Sequence, residues 1–381
     1  MPFYVKRGSI PLKRHTQFKK SDGSLYREEL VSRQGFSDIY SNLYHIHMPT
    51  EVSSVGDLQS LTLTSWEKPH RHHHLRTAQT KSDGDAISAR VPLFFNSDVL
   101  FAKGHVNDSM SHFYRNGNAD EVLFIHRGTG TLKSNLGQLD FHAGDYIVIP
   151  RGVIWQMDIN EPCCILVIET AGPVKTPDRY RNQNGQLLEH SPFCERDIRV
   201  PKFIEPIDED GEFRVDVKLS RGIQTYFYKH HPFDVVGWDG YYFPWIFNIN
   251  DFEPITGRIH QPPPVHQTFQ APGLVICSFV PRLFDYHPEA IPAPYAHSNV
   301  DSDEILYYVE GEFMSRKGIE EESITYHPMG LPHGPQPGKM EESIGAKATT
   351  ELAVMVDTFK PLRLTEACES IDDADYPLSW L

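Results

Sequence analysis

The sequence lacks the features that define several large classes of protein. No run of eighteen or more apolar residues occurs in the 381-residue chain, so no segment is predicted to cross a membrane as a helix. Positive charge is also scarce, because the formal net charge is −15 at pH 7. An acidic protein of this kind is not expected to bind nucleic acid or an anionic membrane surface.

Cysteine is scarce as well. The five cysteines form no disulfide framework, because their number is odd and Cys163 and Cys164 are adjacent. Reduced thiols in a cytosolic protein are the simplest interpretation. The stretch from Met1 to His15 is basic and lacks the apolar core of a signal peptide, so we expect a cytoplasmic location.

Turn-forming residues are abundant, and strongly periodic helical stretches are few. The chain has 26 glycines and 29 prolines, which favours a turn-rich, mostly β protein. Short apolar strands recur between turns every eight to twelve residues, a pattern typical of a sandwich or jelly roll. The length allows two compact domains. We expect them at 1–245, including an irregular N-terminal arm and a connecting segment, and at 246–381, including a C-terminal tail.

The two halves share a repeated pattern. In the first half Asp120-Glu121 is followed by six residues and Gly128, and in the second Asp303-Glu304 is followed by six residues and Gly311. The later parts also correspond, since a Pro-x-Gly turn follows the next strand in each half. A repeat of this size that occurs twice predicts a duplicated domain rather than a solenoid.

The second copy carries a candidate metal site. His297, Glu304 and His333 would be brought together by antiparallel strands, as two imidazoles and one carboxylate. This is the ligand set of the facial triad in non-haem Fe(II) oxygenases, and it also suits manganese, nickel or zinc. Alternatively, the three side chains satisfy hydrogen bonds at the mouth of a barrel. A buried carboxylate beside two imidazoles favours the cation, which would offset the cost of desolvation.

The first copy departs from this pattern. Phe113 to Asn116 and Val153 to Trp155 stand where the two histidines would be, and Glu121 alone cannot hold a metal. We therefore expect a metal-free barrel in which Trp155 fills the space of an ion. A separate histidine run, His70 to His74, is expected to form a solvated loop, because adjacent histidines on a strand alternate in direction.

The glutamate-six-glycine spacing with its histidines resembles the cupin family, and longer segments resemble homogentisate 1,2-dioxygenase in its shorter bacterial branch. These segments are Lys13 to Phe18, Tyr26 to Leu30, His231 to Gly240, Pro294 to Asn299 and His333 to Pro335. The resemblance runs from about Lys13 to Pro361. It implies a bicupin fold, with two antiparallel jelly-roll or β-barrel domains.

The resemblance also implies a function. Members of this family open the ring of homogentisate with O2 to give maleylacetoacetate, a step of tyrosine and phenylalanine catabolism. The implied cofactor is Fe2+, and matched residue by residue its ligands are His297, Glu304 and His333. The implied partners are a small aromatic substrate and O2, and we expect a homo-oligomer. The metal would serve as a template that joins two reactants.

Further site residues follow from the same resemblance. The catalytic base maps onto His260, and His266 is an alternative. His327 resembles a histidine that touches substrate, Tyr295 is expected to face the pocket, and Arg316 matches a cation that could hold the substrate carboxylate. Phe313 departs from the family, whose members have tyrosine there, which leaves the exact diphenol open.

Three alternative functions remain at this point. A cupin dioxygenase for gentisate, hydroquinone or another diphenol would share the same ligands. An isomerase or hydrolase would use a redox-inert metal, and a binding or storage bicupin would perform no catalysis. The acidic segment from Thr365 to Leu381 could be an interface arm or a mobile tail.

Overall fold

The computed structural model describes residues 3–67 and 69–381, and it is mostly β. Within these residues 29 strands form. In chain order they are β1 (Val5–Gly8), β2 (Arg27–Ser32), β3 (Tyr40–His45), β4 (Val52–Ser60), β5 (His73–Arg76), β6 (Arg90–Phe95), β7 (Val99–Val106), β8 (Phe113–Asn116), β9 (Asp120–Arg127), β10 (Gly130–Ser134), β11 (Gly137–Phe141), β12 (Asp145–Ile149), β13 (Trp155–Ile159), β14 (Cys163–Thr170), β15 (Ile198–Arg199), β16 (Asp210–Leu219), β17 (Gly222–His230), β18 (Val235–Gly240), β19 (Trp245–Asn248), β20 (Gln267–Ala271), β21 (Leu274–Phe279), β22 (Arg282–Leu283), β23 (His297–Ser298), β24 (Asp303–Glu310), β25 (Ser323–His327), β26 (Pro332–His333), β27 (Ala348–Thr349), β28 (Leu352–Thr358) and β29 (Arg363–Leu364).

Helical structure is sparse. One short α-helix, α1, spans Lys339–Ser343. Single 3₁₀ turns occupy Gln34–Phe36, Thr77–Gln79, Asp178–Tyr180, Glu195–Asp197, Ile249–Asp251, Pro263–His266, Glu366–Cys368 and Tyr376–Leu378. Among the described residues, no helix combines the length and the apolar character needed to cross a membrane.

The first barrel is built from two large sheets. One has the order β11-β10-β13-β8-β16-β17-β4, and the other has the order β15-β19-β12-β9-β14-β7-β6-β29. Strands β9 and β14 lie in the centre of the second sheet, and all eight residues of β14 are buried. Their apolar composition follows from this position, because a strand covered on both faces has no solvent-facing side.

The second barrel is smaller. Its main sheet has the order β20-β21-β28-β24-β25-β5, and two short ribbons, β22-β27 and β23-β26, complete it. All these neighbours are antiparallel. The prediction of a mostly β bicupin fold is confirmed, although β8 and β16 of the first barrel run parallel to each other.

The two barrels repeat the same local bonding at the start of their central strands. Asp120 begins β9 and accepts a hydrogen bond from the backbone N–H of Arg151 at 3.1 Å. Asp303 begins β24 and accepts one from the backbone N–H of Met329 at 2.8 Å. In each barrel a buried aspartate thus fixes the turn after a strand that pairs with its own, β12 in the first barrel and β25 in the second, which explains why the Asp-Glu pair recurs.

The barrels are packed against each other through one continuous core. The buried apolar cluster extends from Val5 to Ile371 and includes strands of both halves. Tyr146 of the first barrel exchanges a hydrogen bond of 2.9 Å with Ser278 of the second. A buried hydroxyl pair inside an apolar interface satisfies both polar groups, so the contact costs little desolvation.

Strands from distant parts of the chain cross the expected domain division. The boundary between 245 and 246 falls inside β19, which pairs with β12 of the first barrel. Strand β5, from the N-terminal region that we expected to be irregular, forms the edge of the main sheet of the second barrel. The N-terminal region is therefore structural, and it contributes to both barrels.

Candidate metal centre

Two histidines face each other across a short ribbon at the mouth of the second barrel. His297 in β23 lies directly opposite His333 in β26, and the centroids of their rings are 4.3 Å apart. Glu304, the second residue of β24, lies beneath them. Its Oε2 is 3.8 Å from Nε2 of His297, and its Oε1 is 3.4 Å from Nε2 of His333.

These three residues form a compact set of donors. One ligand atom from each lies within 4.8 Å of the others, and Glu304 and His333 are buried. Burial opposes ionisation of Glu304, but the surrounding imidazoles hold its pKa well below the ordinary value. The structure thus brings together the three residues that the sequence predicted as ligands, and it keeps the carboxylate ionised.

A second carboxylate stands beside the first. Asp357 of β28 is the cross-strand neighbour of Glu304. Burial, and then the charge of Glu304, raise the pKa of Asp357 to about 7. Sequence reasoning missed this residue, because only the register of β24 against β28 shows the proximity.

Two buried polar atoms test whether a cation fits the site. Nε2 of His333 and Oδ1 of Asp357 are buried and have no hydrogen-bond partner. Such atoms are costly unless something binds them. A divalent cation would accept the imidazole nitrogen as a ligand and would offset the charges of two neighbouring carboxylates. The residues present therefore fit a metal ion.

The triad opens into a cavity of about 350 Å³. The predicted site residues on its wall are His260, His266, Tyr295, His297, Glu304, Phe313, Arg316 and His333. The wall also includes Asn299, Leu306, Met314, Met355 and Asp357. Cavities of this size typically hold a small organic molecule.

The two candidate bases lie in different environments. The side chain of His260 is 48% exposed, with Nδ1 3.5 Å from Asp285 and its ring 5.2 Å from that of Tyr295. His266 is buried and stacks on Phe279 at 4.4 Å. Burial lowers the pKa of His266 to about 3, so this imidazole stays neutral. Both side chains reach the cavity.

Arg316 and Phe313 occupy the opposite wall. The guanidinium of Arg316 is buried, its Nη1 donates to the carbonyl of Gly334 at 2.5 Å, and its Nε has no hydrogen-bond partner. Phe313 packs edge-on against Tyr308, with ring centroids 4.4 Å apart. The cavity therefore combines a buried cation with aromatic surface, as expected of a site for an aromatic carboxylate.

His327 lies behind the triad rather than on the cavity wall formed by the described residues. It is completely buried, and burial lowers its pKa to about 3. Nδ1 lies 2.8 Å from Oε1 of Glu304, and Nε2 lies 3.2 Å from the hydroxyl of Tyr376. The structure thus gives His327 contacts with Glu304 instead of the exposure that contact with substrate would need.

The C-terminal residues pack against the site from the same side. Trp380 donates from its indole nitrogen to the carbonyl of Gly334, the residue after His333, at 3.0 Å. Its ring also lies 5.6 Å from the guanidinium of Arg316. The segment from Thr365 to Leu381 is therefore packed against the protein, since its start bonds to β6 of the first barrel and its end contacts the second.

The expectation for the histidine run was wrong. His72, His73 and His74 are buried, and His73 and His74 begin strand β5. Nδ1 of His73 lies 3.0 Å from a carboxylate oxygen of Asp372, while the ring of His72 lies 5.3 Å from that of His327. His70 is exposed as predicted, but His72 to His74 are buried, and His73 and His74 belong to a strand that supports the site.

The first barrel fills the equivalent position with its own cations. Arg90 extends its guanidinium to Glu121, with Nη1 2.5 Å from Oε1, and to Glu169 at 3.2 Å. Lys218 completes the group at 2.6 Å from Glu169. We had expected Trp155 to fill the space of the ion. Trp155 is buried, but the positive charge beside Glu121 comes from the guanidinium of Arg90.

Known proteins resemble this chain over most of its length. Residues 96–249 match the family model "Homogentisate 1,2-dioxygenase N-terminal". A protein of Saccharolobus solfataricus that bears the provisional name dioxygenase is 41% identical over 384 residues, covering 100% of this chain and 99% of the relative. A homogentisate 1,2-dioxygenase of Nitrobacter hamburgensis is 29% identical over 414 residues, covering 98% of this chain and 90% of the relative. A solved cupin-barrel protein from Leptotrichia buccalis aligns over 75% of this chain and 96% of its own, with 8% identity and a TM-score of 0.36.

Proposed function

This chain belongs to the homogentisate 1,2-dioxygenase family, and on that basis we propose that it opens the ring of homogentisate with dioxygen at an Fe(II) ion held by His297, Glu304 and His333. The product would be maleylacetoacetate. The observation that carries the proposal is the triad itself, whose ligand atoms lie within 4.8 Å of one another on the wall of a cavity of about 350 Å³.

Two imidazoles and one carboxylate are the protein ligands that Fe(II) oxygenases use. When bound there, Fe(II) would supply the redox chemistry and the common template for substrate and dioxygen. The remaining work falls to the protein, which must orient the ligands, hold the substrate and move a proton.

The orientation of Glu304 is set from behind. His327 binds Oε1 of Glu304 through Nδ1, and its other nitrogen meets the hydroxyl of Tyr376. A ligand whose outer partners are fixed keeps its geometry when substrate enters. We therefore assign His327 a positioning role in this site.

His260 is the better candidate for the catalytic base. Its ring reaches the cavity, and Asp285 at 3.5 Å can stabilise the imidazolium that forms when it accepts the proton of a ring hydroxyl. His266 stacks on Phe279 instead of meeting a carboxylate, and burial lowers its pKa to about 3. His266 would serve instead as a neutral hydrogen-bonding wall.

Arg316 would bind the carboxylate of the substrate. Its guanidinium is buried at the cavity wall and retains an Nε–H without a partner. A charge-assisted hydrogen bond from a buried guanidinium is among the stronger ones available to a protein. Tyr295, which is 53% exposed on the outer wall, would cover the aromatic ring.

A second candidate substrate class is favoured by Phe313. This residue lines the cavity and offers no hydroxyl where members of the family have tyrosine. Another substituted hydroquinone, such as gentisate, would meet the same triad and the same Arg316. The reaction type would be unchanged.

Oxygen uptake tests the proposal directly. The protein would be loaded with Fe(II) under anaerobic conditions and then offered homogentisate, gentisate and hydroquinone in turn. We expect uptake with homogentisate, and its loss by more than about 100-fold in His333→Ala, because loss of even an outer partner of a ligand costs about 10–100-fold.

A matched control is His142→Ala, which removes a 58% exposed histidine from the first barrel. It should leave uptake unchanged. Oxygen uptake with gentisate alone would mean that gentisate is the substrate, while the proposed iron chemistry would stand. Stoichiometric metal binding without uptake for any diphenol would overturn the proposal in favour of a redox-inert enzyme.

A further inference from the structure

A second cluster of reactive side chains lies where the first barrel meets the second. Lys103 of β7 is completely buried, and its Nζ lies 2.6 Å from Sγ of Cys164 in β14. The same Nζ lies 2.8 Å from Oε2 of Glu322, the residue that precedes β25 of the second barrel. None of these three residues lines the metal cavity defined by the described residues.

Basic groups outnumber carboxylates in this cluster. Besides Lys103, Nε2 of His105 lies 3.1 Å from Glu322, and Nη1 of Arg127 lies 3.3 Å from it. Hydrogen bonding to Cys164, and then to Glu322, raises the pKa of His105 to about 9. The thiol of Cys164 thus shares this cluster with three basic side chains and one carboxylate.

The separation of nitrogen and sulfur is unusually small. An N–H···O hydrogen bond spans about 2.7–3.2 Å, and sulfur is a larger acceptor than oxygen. The 2.6 Å between Nζ of Lys103 and Sγ of Cys164 is below that range. This separation is the one expected if a single oxygen atom is bonded to both the nitrogen and the sulfur. Two single bonds that meet at a near-tetrahedral angle on the oxygen would place nitrogen and sulfur at this distance.

We propose that Lys103 and Cys164 are a covalent modification site at which dioxygen joins the lysine nitrogen to the cysteine sulfur through a single oxygen atom. The overall step is amine plus thiol plus O2, giving an N–O–S bridge plus water. One N–H and one S–H bond break, and one N–O and one O–S bond form. Nitrogen and sulfur are each oxidised by two electrons, and dioxygen takes up all four.

The protons also balance within the cluster. An ammonium beside a thiolate and an amine beside a thiol differ only by transfer of one proton across the 2.6 Å contact. No external base is needed to reach the reacting pair. The two hydrogens that leave nitrogen and sulfur are those that appear in the water.

Dioxygen can reach the cluster from its outer edge. His105 is 22% exposed and Arg127 is 61% exposed, so only one layer of side chains separates Lys103 from solvent. A metal ion is a poorer occupant of the same place. Although His105, Cys164 and Glu322 have ligand atoms within 4.8 Å of one another, the ammonium of Lys103 already contacts all three.

The bridge would change the contact between the two barrels. It removes a positive charge from Glu322, whose side chain the ammonium, His105 and Arg127 now hold. Glu322 has a left-handed backbone, with φ of 64°, and this conformation is strained for a residue other than glycine. Strand β25 begins at the next residue and ends at His327. Oxidation should therefore loosen this contact between the barrels, at the start of the strand that ends at His327.

Mass spectrometry of the wild-type protein decides the matter. One sample would be kept anaerobic with a phosphine reductant, and another equilibrated with oxygen. We expect the oxidised sample to gain one oxygen less two hydrogens, and a digest to yield one peptide pair joining Lys103 to Cys164. Titratable thiols should fall by one from the five present, and return after reduction.

Two variants serve as controls. Lys103→Arg keeps a cation but has no primary amine, so it should keep all its thiols in oxygen. Cys163→Ser removes the adjacent cysteine, whose thiol donates to the backbone carbonyls of Thr129 and Glu161, and should still form the bridge.

Several outcomes would overturn the proposal. If every thiol remains titratable after exposure to oxygen, the short contact is an ion pair only. If Cys164 is recovered as sulfinic acid or in a disulfide, lysine takes no part. If one zinc atom per chain is retained and is lost in Cys164→Ser, the cluster is a metal site. Because the wild-type measurement stands alone, failure of a variant to fold does not affect the result.

Discussion

The two barrels place a pair of carboxylates at the same point and neutralise it in different ways. In the first, Glu121 and Glu169 are cross-strand neighbours, as Glu304 and Asp357 are in the second. The first pair is met by the buried Arg90, together with Lys218. The second pair is met by imidazoles and an open cavity.

This difference shows what the duplicated architecture demands. A carboxylate pair on neighbouring central strands must have positive charge beside it, because two uncompensated buried charges are costly. The first barrel supplies that charge permanently from its own side chains. The second leaves a place beside its pair that a metal ion would fill, and under the proposed function that ion would make the site reactive.

The largest expected effect is on the stability of the first barrel, whose carboxylate pair is neutralised by its own side chains. Arg90→Met leaves Glu121 and Glu169 with one cation fewer, so we expect a loss of about 3–5 kcal/mol in the free energy of unfolding. Denaturant unfolding of the metal-free protein measures it. Lys202→Met, which breaks a pair whose side chains are 70% and 52% exposed, is the control and should cost less than about 1 kcal/mol. Equal losses in both variants would remove the contrast between the barrels.

A smaller effect, on metal affinity, is expected when a residue of the second barrel is replaced by its counterpart in the first. His327 pairs with Glu304 as Ile149 pairs with Glu121. In His327→Ile the carboxylate loses its outer hydrogen bond, and metal affinity should fall about 10–100-fold. Titration of the anaerobic protein with Fe(II) measures this affinity. Unchanged affinity would show that Glu304 needs no support from behind.

The free energy of unfolding should depend on pH through His45, whose positive charge in the folded protein is supplied by a side chain and not by a bound ion. His45, near the first barrel, lies 2.7 Å from Asp234 and 3.0 Å from Glu29. Burial opposes its protonation, but hydrogen bonds to these carboxylates raise its pKa to about 9. Because the pKa is higher in the folded state than the value of about 6.5 in the unfolded chain, the stabilisation is complete below pH 6.5. It disappears as the pH rises through 9.

Unfolding experiments between pH 6 and pH 10 test this prediction. The wild-type protein should lose on the order of 1–2 kcal/mol more than His45→Gln over that range. Parallel pH profiles for the two proteins would show that the imidazole is neutral in the fold.

The smallest effect concerns specificity. Phe313→Tyr adds a hydroxyl to the wall of the open cavity, where Phe313 packs against Tyr308. If homogentisate is the substrate, its kcat/KM should rise by a factor of about 3–10, the value of one additional net hydrogen bond. A fall for homogentisate with a rise for gentisate would transfer the preference to the second diphenol.

The sequence predicted the elements whose signal is local. The Asp-Glu pairs, the glycine turns and the three histidine and glutamate positions each depend on spacing within one or two strands, and the structure brings His297, Glu304 and His333 together. In the first barrel, where the sequence lacks the two histidines, the structure places Arg90 beside Glu121. Strand patterns were sufficient for the architecture because both faces of β9 and β14 are covered.

The errors concern contacts between residues that are far apart in the chain. Arg90 meets Glu121 across 31 positions, and no spacing rule connects them. The run from His72 to His74 looked solvated because its charge partners lie about 300 positions away, in the C-terminal segment. Whether such residues are buried depends on tertiary contacts, and the periodicity of the local sequence does not reveal these contacts.

The position of β5 has a further consequence for how the molecule is made. This strand pairs with β25 about 250 positions later, while Tyr376 and Trp380 complete the same corner of the barrel. Contacts of such long sequence separation form late, because loop closure must come before they contribute energy. During synthesis the N-terminal barrel can close first, while β5 waits unpaired at its edge. The second barrel is therefore completed only after Tyr376 and Trp380 have been synthesised, and loss of β5 or of these two residues would disturb a metal centre to which none of them belongs.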